Sequence, residues 1–527
     1  MGDPAMNSRP ALDSQRRSLA LIVAALLCLP SAVAAEAPPS PVPSPSSSPL
    51  RPAVPDAVTH HSIVLHARRI AFTARAGTIT VTNAADQPAA RVFYTAYTAD
   101  KVPAARRAVT FVYNGGPGSS TIWLRMGSFG PVRVQTSDAT VTGPAPYDIV
   151  ENRFSLLDQT DLVFIDMPGS GFGRLIGNGT PKDFWGIDQD AAAFGQFIQR
   201  YLTAFHRWNS PKFLFGESYG TLRSAVLASY LQDRGIGLNG IVLLSSYLNP
   251  NLDYADGSPV GGGDWAYVLY LPTETATAWY HHAISNATPL VPLLDEVRRF
   301  ATGDYLDALA SGARLSPARF SEIVEKLHRY TGLSETYVRN SNLRIPYDRF
   351  AAELERDRGV VVGRLDSRFE SYVLDKASPS LDWDATDAAI DSAFVSGGNE
   401  YMRETMAYHT DLLYRAQIYD LIYADGKSWD FKHGDNAQSV NVAPDLAKAM
   451  TFNPRLKVFS ANGYFDFATP FFGTEYVLDH LYLPPELRKN ITYGYYESGH
   501  MVYLHPAALA KFHDDLERWY SATLSRH

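Results

Sequence analysis

From about His61 the chain alternates short β-rich runs with polar or glycine-containing turns: Ser62-Ile63-Val64-Leu65-His66, Thr78-Ile79-Thr80-Val81-Thr82 and residues 90–97. Runs of this kind predict an antiparallel start to a sheet. Denser apolar runs follow at residues 109–113, 162–166, 213–215 and 241–244. They predict strands buried on both faces, as in a parallel sheet covered by helices. Between the second and third, Ala191, Phe194, Phe197, Ile198, Tyr201, Leu202 and Phe205 recur at helical spacing within residues 187–208. Strand and helix thus alternate as in an α/β protein.

After Asn249 the rhythm breaks. Residues 290–309, 317–331 and 347–358 are helix-like, punctuated by Gly, Pro, Ser and Asp, with few strand signals. Strand-like runs return at residues 456–460 and 491–496, and residues 507–521 form a closing amphipathic pattern. The simplest organisation is one mixed, mostly parallel sheet with helices on both faces, built from residues 59–249 and 441–527. A mostly helical insertion, residues 250–440, interrupts it as a lid.

The N-terminus differs from the rest. Arg16-Arg17 precede an apolar run from Leu19 to Leu29, and Ala32-Val33-Ala34 supplies small residues for cleavage, so residues 1–35 read as an export signal. The run is too short for a spanning helix, and twin arginines also permit export of the folded protein. Residues 36–58 are rich in Pro, Ser and Ala and read as an extended linker. The single cysteine, Cys28, lies inside the signal, so the processed chain would hold neither a disulfide nor a thiol nucleophile. At 527 residues the chain can bury a large core. A net charge of −8 without a basic stripe argues against a nucleic-acid binder. The 30 tyrosines read first as packing residues, with an aromatic-lined cleft as the alternative.

Candidate chemistry begins at Lys212-Phe213-Leu214-Phe215-Gly216-Glu217-Ser218-Tyr219-Gly220. A short apolar run leads into Gly-x-Ser-x-Gly and then into a helix-compatible segment, the strand, tight turn and helix of a nucleophile elbow, so Ser218 is the candidate nucleophile. The pentapeptide alone occurs by chance roughly 0.2 times in a chain this long, and it needs partners. An activated serine requires a base, an orienting carboxylate and oxyanion donors. On such a fold the acid and base follow late strands, which points to Asp466 after the run ending at Ser460 and to His500 in Glu497-Ser498-Gly499-His500. Asp479 and His480 are weaker rivals that read as a solvated helix end. His505 reads as the polar start of the Pro506 helix. The backbone amides of Tyr219 and Gly116, the latter in Asn114-Gly115-Gly116-Pro117-Gly118-Ser119-Ser120, are the candidate oxyanion donors. The pairs His60-His61 and His281-His282 lack a zinc-protease pattern and read as surface residues. Asn178, Asn286 and Asn490 fit the glycosylation pattern.

Taken together, the Asn114–Ser120 loop, Val163-Phe164-Ile165-Asp166-Met167-Pro168-Gly169-Ser170-Gly171-Phe172, the elbow, the Asp466 loop and Gly499-His500-Met501-Val502 resemble the serine carboxypeptidases, an α/β-hydrolase family. The resemblance spans about Thr110 to Val502. It implies that Ser218 attacks the scissile carbonyl, His500 moves the proton, Asp466 orients His500, and Gly116 and Tyr219 hold the oxyanion. It implies no metal or cofactor and a peptide substrate. Asn114 and Glu217 stand where the family recognises the substrate's terminal carboxylate.

Two other family positions depart: a Trp is replaced by Val112, and a second Glu by Ser128. Two carboxyls that share a proton raise one pKa. Without the partner, Glu217 is expected to ionise more readily, so that C-terminal specificity is weakened or the carboxylate is reached through another group, such as Arg125 or a lid residue. The expected protein is a serine carboxypeptidase, exported to the periplasm or secreted, with no stable membrane anchor once the signal is cleaved. The alternatives are an esterase or acyltransferase on the same scaffold, or a non-catalytic binding protein.

Overall fold

The computed structural model describes residues 52–252, 263–424, 429–435 and 440–525. The export signal and residues 36–51 of the linker lie outside them. The strands are β1 (Ala57–Leu65), β2 (Arg68–Thr82), β3 (Pro88–Ala99), β4 (Ala108–Tyr113), β5 (Val132–Val134), β6 (Ile149–Glu151) and β7 (Thr160–Ile165). They continue as β8 (Arg174–Leu175), β9 (Lys212–Glu217), β10 (Gly240–Leu244), β11 (Val360–Val362), β12 (Glu370–Tyr372), β13 (Lys457–Gly463) and β14 (Ile491–Tyr496). The main sheet runs β1-β2-β3-β7-β4-β9-β10-β13-β14, with β8 paired to β3. Along this order the pairings β1-β2, β2-β3 and β3-β7 are antiparallel, and those from β7 through β4, β9, β10 and β13 to β14 are parallel.

The dense apolar runs become the central strands because both faces of the sheet are covered. Along β9, Phe213 and Phe215 enter the core on one side and Leu214 the core on the other, as the two-residue repeat of a strand requires. The helices Ile187–Ala204, Tyr219–Gln232 and Ala443–Phe452 close one face through residues such as Phe194, Leu222 and Leu446. The closing helix Pro506–Leu524 covers the other with Phe512, Leu516 and Tyr520. This is the α/β-hydrolase fold. Among the described residues no helix is long and apolar enough to cross a membrane.

The insertion has two parts. Its first part, with helices Asp264–Tyr280, Leu290–Phe300, Pro317–Thr331 and Tyr347–Glu353, packs around its own core of residues such as Tyr267, Val297, Phe300, Leu327 and Phe350. Phe467, from the loop after β13, is buried in that same core. The second part joins the main cores instead: Ile390 and Phe394 of the helix Ala385–Glu400 pack on one face of the sheet, and Ile418 and Ile422 on the other. Between the parts lies the antiparallel pair β11 and β12, which the sequence did not signal because three-residue strands carry too short a pattern.

Residues 364–368, between β11 and β12, are knitted into the sheet's C-terminal edge. Phe467 N donates to Arg364 O at 3.0 Å, Ser367 N to Phe465 O at 2.9 Å and His500 N to Leu365 O at 2.6 Å. Gly499 N donates to Asp366 Oδ2 at 3.0 Å. Asp366 is paired with Arg368 at 2.6 Å, and both side chains are buried. One segment of the insertion therefore joins the loops after β13 and β14. Removing one member of a buried ion pair costs about 3–5 kcal/mol, because the other charge stays behind. Arg368→Ala should lower the thermal midpoint accordingly in calorimetry, and an unchanged midpoint would show that this pair does not anchor the segment.

Candidate active site

The chain leaves β9 and turns at Ser218 with φ 60° and ψ −129° before the helix Tyr219–Gln232 begins. A non-glycine residue in such a conformation costs of order 1–3 kcal/mol and persists only where its surroundings dictate it. Here they do. Ser218 N donates to Leu244 O at the end of β10, 3.0 Å away. A Cβ on Gly216 would stand 2.2 Å from Gly220 O, and one on Gly115 would stand 2.5 Å from Tyr219 N and 2.7 Å from Gly220 N. Only hydrogen at these two positions lets strand, turn and glycine-rich loop approach so closely.

His500 and Asp466 come from the loops after β14 and β13. His500 Nδ1 donates to Asp466 Oδ2 at 2.8 Å, and both side chains are buried. Asp466 also accepts from Ala468 N at 2.8 Å, Thr469 N at 3.0 Å and the Thr469 hydroxyl at 2.7 Å, so its carboxylate is oriented from several directions. Burial pulls the His500 pKa down, but the charge and hydrogen bond of Asp466 outweigh it and leave the imidazole above its ordinary value. The backbone of His500 is pinned at both ends, through Leu365 O and through Ser245 Oγ, which donates to His500 O at 2.7 Å.

The glycine-rich loop follows β4, beside the elbow. The amide of Tyr219, first in its helix, has no intrahelical acceptor and points along the positive end of the helix dipole. Arg223, one helical turn on, makes a fully buried ion pair with Asp190 at 2.6 Å and donates to Asn114 O at 2.8 Å, tying the elbow helix to the loop. Burial raises the Asp190 pKa to about 6 despite Arg223. Asp166 holds the far end by accepting from Thr121 N at 2.7 Å and from the Tyr414 hydroxyl at 2.9 Å. The insertion clamps the loop from outside: Ser120 N donates to Ala416 O at 2.8 Å and Ile418 N to Gly118 O at 3.0 Å.

Asn114 and Glu217 meet directly. Asn114 Nδ2 donates to Glu217 Oε1 at 2.5 Å, while Asn114 Oδ1 accepts from Leu124 N. The Tyr503 hydroxyl lies against the carboxyl without a well-aligned hydrogen bond, and Glu217 Oε2 is buried without a partner. The expectation of a readily ionised Glu217 fails. Burial pushes its pKa up to about 7, against the pull of His500, Tyr503 and Asn114, with Asp466 adding to the rise. Arg125 does not reach the cleft either. It is buried, hydrogen-bonded to the Tyr414 hydroxyl at 3.0 Å and held by the charge of Asp166. Ser128 turns back to donate to Leu124 O, and Val112 is a core residue of β4.

Ser218, His500, Asn114, Gly116 and Glu217 line one cleft of about 510 Å³, a volume suited to a small ligand. Its other wall comes from the insertion, through Arg364, Leu365, Asp387, Gln417, Tyr419 and Tyr423. None of these was found by sequence reasoning, because residues scattered through the insertion have no motif to mark them. Asp387 is pushed up to about 8, first by burial and then by Asp384 and Asp391, against Arg364 and His500.

The rivals lie elsewhere. His480 caps the helix Phe471–Asp479 and bonds to Tyr476 O, while His505 precedes the closing helix and bonds to Glu497 O. His281 is no surface residue: its side chain is nearly buried between Ser367 O and Glu370. Of the three Asn-x-Thr positions, Asn490 is buried. Among the described residues the clusters with donor atoms within 4.8 Å of one another are His66, Asp158 and His513, and His513, Asp514 and Glu517, and none of these lines the cleft.

A family model described as serine carboxypeptidase matches residues 66–502. The pheromone-processing carboxypeptidase KEX1 of Cryptococcus gattii is 29% identical over 157 residues, covering 29% of this chain and 22% of that protein. A carboxypeptidase Y homolog of Arthroderma benhamiae is 31% identical over 133 residues, covering 25% and 24%. The chain thus aligns with about a quarter of the length of these relatives. Among solved structures, the prohormone-processing carboxypeptidase Kex1Δp of Saccharomyces cerevisiae superposes with a TM-score of 0.51 at 16% identity, covering 83% of this chain and 89% of that one, which establishes a shared fold.

The contact of Gly115 with the elbow is between backbone atoms, which cannot yield as a flexible side chain would. Gly115→Ala should therefore slow covalent labelling by a fluorophosphonate about 100-fold while circular dichroism stays unchanged. Labelling at the wild-type rate would mean that loop and elbow are not in register.

Proposed function

This chain belongs to the serine carboxypeptidase family, and on that premise we propose that it removes C-terminal residues from peptides through an acyl-enzyme. In this reading Ser218 attacks the carbonyl of the last peptide bond. His500 accepts the serine proton and passes it to the leaving amine, while Asp466 holds the imidazole and balances its positive charge. The amides of Gly116 and Tyr219 stabilise the oxyanion as charge develops. Water then enters, activated by His500, and releases the shortened peptide. The residues of this chain supply a nucleophile, a proton carrier and hydrogen-bond donors.

The observation that carries the exopeptidase reading is the Asn114–Glu217 pair, which lines the same cleft as Ser218 and leaves Glu217 Oε2 with only the poorly aligned Tyr503 hydroxyl beside it. A buried polar atom without a well-aligned partner has a place for one. A protonated Glu217 can donate to the terminal carboxylate of a substrate, and the amide of Asn114 can donate alongside it. With the pKa of Glu217 at about 7, the proton is mostly present below that pH and lost above it. The KM for a free-acid peptide should then rise as pH climbs through 7, while that for the matching ester stays flat. Parallel pH profiles for the two substrates would remove Glu217 from this role.

Incubation with a mixed peptide library, followed by mass spectrometry, tests the reaction itself. The expected products are successive single-residue losses from C-termini, whereas internal cuts or turnover of esters alone would point to an endopeptidase or to the esterase alternative. Ser218→Ala should lower kcat about a million-fold and Asp466→Asn about 10⁴-fold, and wild-type protein that resists fluorophosphonate labelling would favour a binding protein. Export to the periplasm or medium rests on the Arg16-Arg17, Leu19 to Leu29 and Ala32-Val33-Ala34 pattern. The exported chain is then expected to begin near Ala35, as N-terminal sequencing would check.

A further inference from the structure

An exopeptidase must find an anion within one residue of the bond it cuts. Consecutive Cα atoms are about 3.8 Å apart, so the group that reads the terminal carboxylate has to line the same cavity as the nucleophile. Among the described residues lining this cleft, the acidic and basic ones are Glu217, Arg364, Asp387 and His500, and Arg364 is the one arginine or lysine. We propose that Arg364, carried by the insertion, takes the carboxylate of the substrate's C-terminal residue and so sets the preference for free C-termini. This rests on the carboxypeptidase reading of the same site.

The backbone places Arg364 beside the reacting groups. Arg364 O accepts from Phe467 N, next to Asp466, and Arg364 N donates to Asp384 Oδ1 at 3.1 Å. The next residue, Leu365, accepts from His500 N. The charge of Arg364 reaches both His500 and Asp387. Its guanidinium stands 6.0 Å from the centroid of the Tyr347 ring, and its side chain is half-buried. A guanidinium offers a planar fork that matches a carboxylate with two parallel hydrogen bonds. Asp387 shares the cleft, where burial and then Asp384 and Asp391 raise its pKa to about 8.

The fixing hydrogen bonds come from the backbone of residues 364–366, so the side chain can be exchanged while they persist. The test compares an N-blocked dipeptide with its methyl ester, using the whole protein and measuring kcat and KM for wild type, Arg364→Gln and Arg364→Lys. Arg364→Gln should raise KM for the acid about tenfold or more relative to KM for the ester, while any change in kcat that passes through His500 falls on both substrates alike. Arg364→Lys, which keeps the charge and loses the fork, should fall between. Equal losses on acid and ester in both variants, or unchanged KM for the acid, would overturn the proposal while leaving the enzyme a carboxypeptidase. Wild-type turnover of the ester without the acid would instead overturn the carboxypeptidase reading, and this inference with it.

Discussion

The structure depends on one strained residue. Ser218 sits at φ 60° where a side chain is unwelcome, and the elements around it are arranged to hold it there. The hydrogen bond to the end of β10 fixes the turn, and the absence of Cβ atoms at Gly216 and Gly115 lets the helix and the glycine-rich loop close upon it. The buried Arg223–Asp190 pair joins helix to loop a second time, through the carbonyl of Asn114. A serine on relaxed backbone at the end of β9 would not stand at the mouth of the sheet between the glycine-rich loop and His500.

The second constraint is that the insertion is part of the site as well as a cover over it. Residues 364–368 lie between the loops that carry Asp466 and His500, and residues 416–418 pair with the glycine-rich loop. The parallel sheet ends in loops with no regular partners of their own, and the insertion supplies those partners. It also sets the charge of the cleft. Glu217 and Asp387 are both raised by burial, so the cavity holds two carboxyls that stay largely protonated up to neutral pH, facing one guanidinium.

Much of this was legible without coordinates. The strands of the main sheet were visible because a strand buried on both faces must be apolar along its length, and the elbow because glycine, serine and glycine at that spacing answer a purely local steric demand. Asp466 and His500 followed from chain order, and the structure brings them to 2.8 Å of each other. The short pair β11–β12 and the buried position of His281 were not legible, since three residues carry no period and a histidine's partners lie far along the chain.

Where inference from sequence went astray, it substituted nearness in sequence for nearness in space. Arg125 stands eleven residues after Asn114, yet the helix Ile122–Gly127 turns it inward to Tyr414 and Asp166. Glu217 was expected to ionise readily because its partner carboxyl was missing, but complete burial governs a carboxyl's pKa more strongly than one neighbour. The sequence by itself determined the sheet, the elbow and the order of Ser218, Asp466 and His500, because each depends on the chemistry of adjacent positions. Only the tertiary structure decided which residues wall the cleft and how they are charged, because burial and the field of Arg364 arise from segments far apart along the chain and exist only once it has folded.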